Sequence, residues 1–147
     1  MNVDCFLDTN VMIYAYDLEA DYKHKIAKKI VRDFWNDRGA LISTLVLQEF
    51  YVNVTRKIPK PLSLATARSI IEQYQVWPIV DNNTKSIIRA SEIQERYQLS
   101  FWDSLIISSA EIGGAKVVLS EDLSHNQYIA GICVQNPFLE QNTTYIS

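Results

Sequence analysis

Histidine is nearly absent from this chain of 147 residues: His24 and His125 are the only two. Neither lies in a context that would serve a Ser-His-Asp or Cys-His relay, and neither has a second ligand at zinc spacing. Cysteine is as scarce. Cys5 and Cys133 sit in apolar, strand-like runs and read as small buried hydrophobes in a reducing compartment; two cysteines leave room for one disulfide and for no framework. Glycine and proline number four each, and no glycine-rich loop is present to cradle a nucleotide's phosphates. No apolar run approaches the roughly 20 residues that span a membrane. The N-terminus lacks a basic-then-apolar leader, acidic Asp4 following Met1 almost at once, so the cytoplasm is the expected location. A basic excess is missing too, with 14 Lys and Arg against 17 Asp and Glu for a net charge of −3. Phosphate attraction ordinarily asks for a basic surface. Carboxylates gathered around cations would nevertheless make the sum negative while the cleft stays receptive to phosphate.

What is present reads as one globular domain over residues 1–147, 48% hydrophobic and 21% charged, without repeat, linker or low-complexity segment. Val3 to Leu7 predicts a buried strand handing over to a helix from Thr9 to Tyr16. Asp21 to Asn36 predicts an amphipathic helix, with Ile26, Ile30, Val31 and Phe34 on one face and Gly39 as a stop signal. Ala40 to Ser43 predicts a second strand, and Thr44 the cap of a helix to Arg56. Ile58-Pro-Lys-Pro-Leu is a loop. Ser63 caps a helix to Tyr74, Trp77 to Val80 makes a third strand, and helices follow over Thr84–Tyr97 and Phe101–Ile112. Lys116–Ser120 makes a fourth strand and Ile132–Gln135 a fifth. Strands alternating with helices predict an α/β protein whose parallel sheet is covered on both faces, with its chemistry outside the strands' carboxyl ends.

Four acidic residues fall at informative places. Asp8 ends the first strand, where an ordinary helix cap and a ligand for a hard cation are equally good readings. Asp103 departs from the polar stripe of Ser104, Ser108 and Glu111 and shares an arc with Ile106, Ile107 and Ala110. A lone carboxylate there would lose several kcal/mol to desolvation, so a site role is favoured over a buried cap. Asp122 follows the fourth strand, where an Asx turn competes with a site role. Ser120 beside it is placed to hydrogen-bond a ligand carboxylate, and Glu121 reads as a solvated loop residue. Glu49 shares a helix face with Asn53 and Arg56, which suits a plain polar stripe as well as a cleft wall with Arg56 offered to phosphate. Like charges at about 4 Å repel by about 4 kcal/mol at an effective dielectric of 20. Gathering such acids therefore calls for Mg²⁺ or Mn²⁺, which prefer oxygen ligands and would activate a water against a phosphodiester.

The opening strand with Asp8-Thr9-Asn10, a helical Glu49 about forty residues on, Phe101-Trp102-Asp103-Ser104-Leu105-Ile106 and Leu119-Ser120-Glu121-Asp122 resemble, in this order, the PIN-domain family. The resemblance implies a three-layer α/β/α sandwich around a mostly parallel sheet. It implies metal-dependent endonuclease activity on single-stranded or structured RNA, with Asp8, Glu49, Asp103 and Asp122 holding one or two Mg²⁺ or Mn²⁺ ions. Thr9, Asn10 and Ser120 match supporting polar positions. Chains of this length resemble toxins of the VapBC type, which implies a protein antitoxin and a homodimer. Serine stands at 120 where threonine is more usual, and Ser-Glu-Asp-Leu-Ser-His-Asn departs from the commoner pattern, leaving open whether Glu121 assists Asp122.

Two other readings compete. A haloacid-dehalogenase-like phosphatase would need an aspartate where Asn10 stands, and a PIN-like binding module would have no use for all four acids. Tyr14, Tyr16, Phe101 and Trp102 lie near the acids in sequence, where core packing explains most aromatics better than base stacking. Lys23, Lys25, Lys28, Lys29 and Arg32 read as a solvated face more readily than as an RNA patch.

Overall fold

The computed structural model describes residues 4–139. The elements run β1 (Cys5–Leu7), α1 (Thr9–Tyr14), α2 (Tyr22–Asn36), β2 (Ile42–Ser43) and α3 (Thr44–Val52), with a π-helical turn over Asn53–Lys57. They continue as α4 (Leu64–Tyr74), β3 (Ile79–Val80), α5 (Thr84–Tyr97), α6 (Phe101–Ile112), β4 (Val117–Leu119), β5 (Tyr128–Ile129) and β6 (Ile132–Gln135). The α/β alternation read from the sequence is the observed one. Val3, expected in the first strand, lies outside the described residues.

The sheet is ordered β1-β4-β6-β5, parallel except for β5. A second parallel pair, β2 with β3, joins it through Leu41, whose backbone exchanges hydrogen bonds with Cys5 and Leu7 at 2.9 and 3.0 Å. Strands this short stay together because both faces are buried: Phe6, Leu7, Ile42, Val118, Leu119 and Val134 are inaccessible or nearly so. That is the expectation for parallel strands between helical layers.

Several boundaries differ from the sequence reading, each for a local reason. Ser43 rather than Thr44 caps α3, its hydroxyl accepting from the Val46 amide at 3.3 Å. Thr44 is instead engaged with Asn82, accepting from its amide at 3.1 Å. The helix expected to reach Arg56 widens after Val52, where the Ile58 amide reaches back five residues to the Asn53 carbonyl at 3.1 Å, a turn found often at functional sites. β5 went unrecognised because its turn carries no Asn-Gly. Ala130 and Gly131 nonetheless both have positive φ, 52° and 81°, the backbone of a tight two-residue hairpin. The serines of the polar stripe of α6 are buried. Ser104 and Ser108 are fully buried, their hydroxyls donating to the Ser100 and Ser86 carbonyls at 2.8 and 2.9 Å. That lets α6 pack flush against α5.

Gly39 stops α2 as expected. Its φ of +83° lets its amide donate to the Phe34 carbonyl at 2.8 Å, in the manner of a helix C-terminus.

Candidate active site

The parallel register pairs Leu7 with Leu119, so the next residues, Asp8 and Ser120, emerge side by side from the carboxyl edge of β1 and β4. Ser120 Oγ donates to Asp8 Oδ2 at 2.7 Å and accepts the Asp122 amide at 3.1 Å. The Thr9 amide donates to the other Asp8 oxygen at 2.7 Å. Asp8 therefore does cap α1, and cap and site position coincide. From α1, Thr9 Oγ1 donates to Glu49 Oε1 on α3 at 2.6 Å. Asn10 Nδ2 meets both Asp122 oxygens at 3.0 Å. Asp103 enters from the first turn of α6, where Ser100 Oγ accepts its amide at 3.1 Å; its carboxylate accepts no hydrogen bond among the described residues.

Asp8, Glu49, Asp103 and Asp122, four acids from distant parts of the chain, thus line one cavity of about 110 Å³, together with Thr9, Asn10, Ile13, Asn53, Trp102 and Ile106. Among the described residues no lysine or arginine pairs with any of the four. Electrostatics follows directly. Burial pushes the Asp8 carboxyl up to about 6, opposed by the bonds from Ser120 and Thr9 and reinforced by the charges of Asp122 and Glu49. Asp122 is raised by partial burial, then by Asp103, Glu121 and Glu49, against the bond from Asn10. Negative charge is concentrated here with only neutral donors to soften it.

The donor set suits a hard cation: all oxygen, anionic and without histidine or thiol. Among the described residues no three of these side chains close into a ready-made cage.

Three neighbours behave differently from the sequence reading. Arg56 is exposed and does not reach the cavity wall, because the π-helical turn over Asn53–Lys57 takes it off the face that carries Glu49. Asn53 takes that face instead, its Nδ2 donating to the Glu49 carbonyl at 2.8 Å. Glu121 is not a solvated loop residue. It turns away from the cavity into an ion pair with Lys23 and accepts the Tyr14 hydroxyl at 2.6 Å. Tyr14 is braced edge-on by Phe138, with centroids 5.2 Å apart. This latch fixes the loop that presents Asp122. Residues 98 positions apart form it, and no local signal announces such a pairing. Among the aromatics, Tyr14 and Tyr16 pack against the core, but Trp102 is 60% exposed at the rim of the acidic cavity.

Comparison with known proteins adds the family. Residues 5–129 match the model of the PIN domain. No significant match exists among curated proteins. Among solved structures, the Mycobacterium tuberculosis toxin VapC20, described as cleaving the sarcin-ricin loop, superposes with a TM-score of 0.62 at 20% identity, over 80% of this chain and 91% of that one. A toxin-antitoxin complex from Klebsiella pneumoniae gives 0.67 at 16% identity, over 91% and 98%. DNA-bound VapBC from Salmonella typhimurium gives 0.63 at 20% identity, over 92% and 98%. At these identities the likeness is one of fold. With the matched segment spanning most of the described residues, and with a mostly parallel sheet that bears the acids at its carboxyl edge, the chain belongs to the PIN-domain family.

Proposed function

We propose that this protein is a Mg²⁺- or Mn²⁺-dependent endoribonuclease that hydrolyses phosphodiester bonds in single-stranded or structured RNA, acting as the toxin of a toxin-antitoxin pair. The observation that carries the reading is the gathering of Asp8, Glu49, Asp103 and Asp122 around one cavity with no cationic partner. One or two bound ions would supply a metal-activated water and charge neutralisation at the phosphate. The chain's own residues do the rest. Ser120 and the Thr9 amide hold Asp8, the deepest carboxylate, in one orientation. Thr9 and Asn10 orient Glu49 and Asp122 from successive positions of α1. Exposed Trp102 offers a face on which an unpaired base can stack. Two of the structural neighbours are toxin-antitoxin assemblies. A protein antitoxin would find apolar surface on this chain between α3 and α4, where Leu47, Tyr51, Val52 and Ile71 line an open groove. Homodimerisation belongs to the same proposal, and sedimentation of the pure chain tests it.

Metal binding gives a first test. Titration with Mn²⁺ by calorimetry is expected to show one or two sites whose affinity falls as pH drops through about 6, the value to which burial raises Asp8. A proton and the cation compete for that carboxylate, so affinity should fall by about tenfold for each pH unit below that point and flatten above it. A pH-independent affinity between 5 and 7 would take Asp8 out of the ligand set.

The latch makes a separate prediction. Lys23→Met frees Glu121 and loosens the Asp122 loop, so kcat/KM should fall about five- to tenfold through misplacement of one acid. Fold stability should change by less than about 1 kcal/mol, as befits a partly exposed ion pair. Unchanged cleavage with intact stability would mean that the loop holds Asp122 without the latch.

A further inference from the structure

A second concavity, of about 260 Å³, lies beyond the far end of α1 and is lined by Ala15, Tyr16, Lys28, Val31, Arg32 and Trp35. It shares no lining residue with the acidic cavity. Its cations, like Lys25, differ from Lys23 and Lys29 on the same helix. Lys23 is paired with Glu121 and Lys29 with Asp33. Lys28 and Arg32, exposed and four residues apart on one helical face, have no ion-pair or hydrogen-bond partner among the described residues. Two free cations on a protein of net charge −3 mark a place where anionic charge would be accepted.

The wall between them is aromatic and rigid. Trp35 is tilted against Trp77 and Tyr74, with centroids 5.0 and 5.1 Å apart. Tyr16 is fixed edge-on to Phe50 at 5.4 Å and hydrogen-bonded to the Tyr74 hydroxyl at 3.0 Å. Both rings are half-buried and keep surface towards the cavity. Cationic groups beside a preformed aromatic wall are what a nucleotide in a single strand requires, one part for the phosphate and one for the base. Tyr16 lies just past the C-terminal end of α1, the helix whose N-cap is Asp8, so one short element connects the two cavities.

We propose that this cavity is a second RNA subsite, in which an unpaired base stacks against Trp35 and Tyr16 while flanking phosphates are held by Lys28 and Arg32. The assignment rests on the nuclease reading for the identity of the strand, and on the cavity's own residues for its existence. It explains how a chain of negative net charge grips RNA at a distance from its acids.

The test is fluorescence anisotropy of a labelled 12-nucleotide single-stranded RNA on the full-length, metal-free protein across a salt series. Lys28→Gln with Arg32→Gln is compared with Lys25→Gln plus Arg38→Gln, which removes the same charge from exposed positions elsewhere. The first double variant is expected to bind about tenfold more weakly, with the slope of log K against log salt reduced by about 1.4, the loss of two phosphate contacts. The control should lose less than twofold. Equal losses in the two double variants, or none in either, would overturn the subsite. So would an acidic, aromatic 12-residue peptide that binds the wild type more tightly than the RNA does and is lost with Lys28 and Arg32, because the cavity would then be a protein-docking site. If the first variant loses RNA binding as expected while the wild type cuts no RNA with any metal, the subsite stands and the nuclease reading is what fails.

Discussion

Replacing Asp8 by asparagine is expected to abolish RNA cleavage and, in the same molecule, to make the metal-free fold more stable. The loss of activity follows from position. Asp8 is the buried member of the acidic set, 4% exposed, and is fixed by two hydrogen bonds. Asparagine keeps the shape and removes the charge that would hold a divalent ion, so cleavage should fall by about 10³-fold or more, on the scale of losing a principal electrostatic contribution. The gain in stability follows from burial. The carboxyl titrates at about 6 in the fold against an ordinary 3.8. A group whose folded value is raised contributes stability that is fully present below the unfolded value and is lost as pH rises through the folded one. At neutral pH the metal-free protein therefore holds an unfavourable buried charge. The difference of about two units corresponds to an upper limit of about 3 kcal/mol. Part of this is offset because the amide refits the bond from Ser120 less well. Differential scanning calorimetry in EDTA at pH 7.5 should show Asp8→Asn melting at least about 3 °C above wild type, with the gap closing by pH 4. Saturating Mn²⁺ should stabilise the wild type only. A mutant less stable than wild type in EDTA would mean that Asp8 serves the fold rather than a ligand.

Gly39→Ala is expected to be strongly destabilising. Gly39 has φ +83°, and a Cβ there would stand 2.5 Å from Trp77 Cδ1 and 2.6 Å from Cγ. Neither partner can yield. The indole is wedged between Phe34, Trp35 and Tyr74, with centroids 6.4, 5.0 and 4.7 Å away. The backbone is held by the Gly39 amide bond to Phe34. Left-handed strain of about 1 kcal/mol adds to overpacking of about 1–3 kcal/mol. The expected loss is about 3 kcal/mol, or roughly 10 °C in Tm, with little change in kcat per folded molecule at saturating RNA. A loss under about 1 kcal/mol would show that the aromatic cluster is softer than its packing suggests. Because Trp35 is part of the cluster, the same variant should also weaken RNA binding at the second cavity.

These two cases mark what was legible in the sequence. Strand-to-helix transitions were readable because apolar runs and helical periodicity are local, and Gly39 signalled a helix stop by its type alone. The four acids could be singled out individually, Asp103 by its departure from a polar stripe. The meeting of Asp8 with the Ser120–Asp122 segment depends on the register Leu7–Leu119, and that of Glu49 and Asp103 with them on how α3 and α6 pack, facts of pairing that no local pattern encodes. What stayed hidden was non-local or hung on a small geometric change. The Lys23–Glu121–Tyr14 latch joins distant segments. The widened turn after Val52 rotates Arg56 off the cavity and leaves Asn53 there, without a proline or glycine to announce it. The burial of the α6 stripe serines was not legible either, because it rests on Ser104 donating within its own turn and Ser108 donating across to α5.

On the proposed function, the acidic cavity cuts RNA with a divalent ion. The measurement that meets it most directly is cleavage of an end-labelled single-stranded RNA by the pure protein, with Mg²⁺, Mn²⁺ or EDTA, beside Asp8→Asn purified identically. Discrete products with either metal, none in EDTA and none from the mutant are predicted. Cutting that persists in EDTA, or equally in Asp8→Asn, would show that the acidic cavity is not a metal-dependent nuclease site.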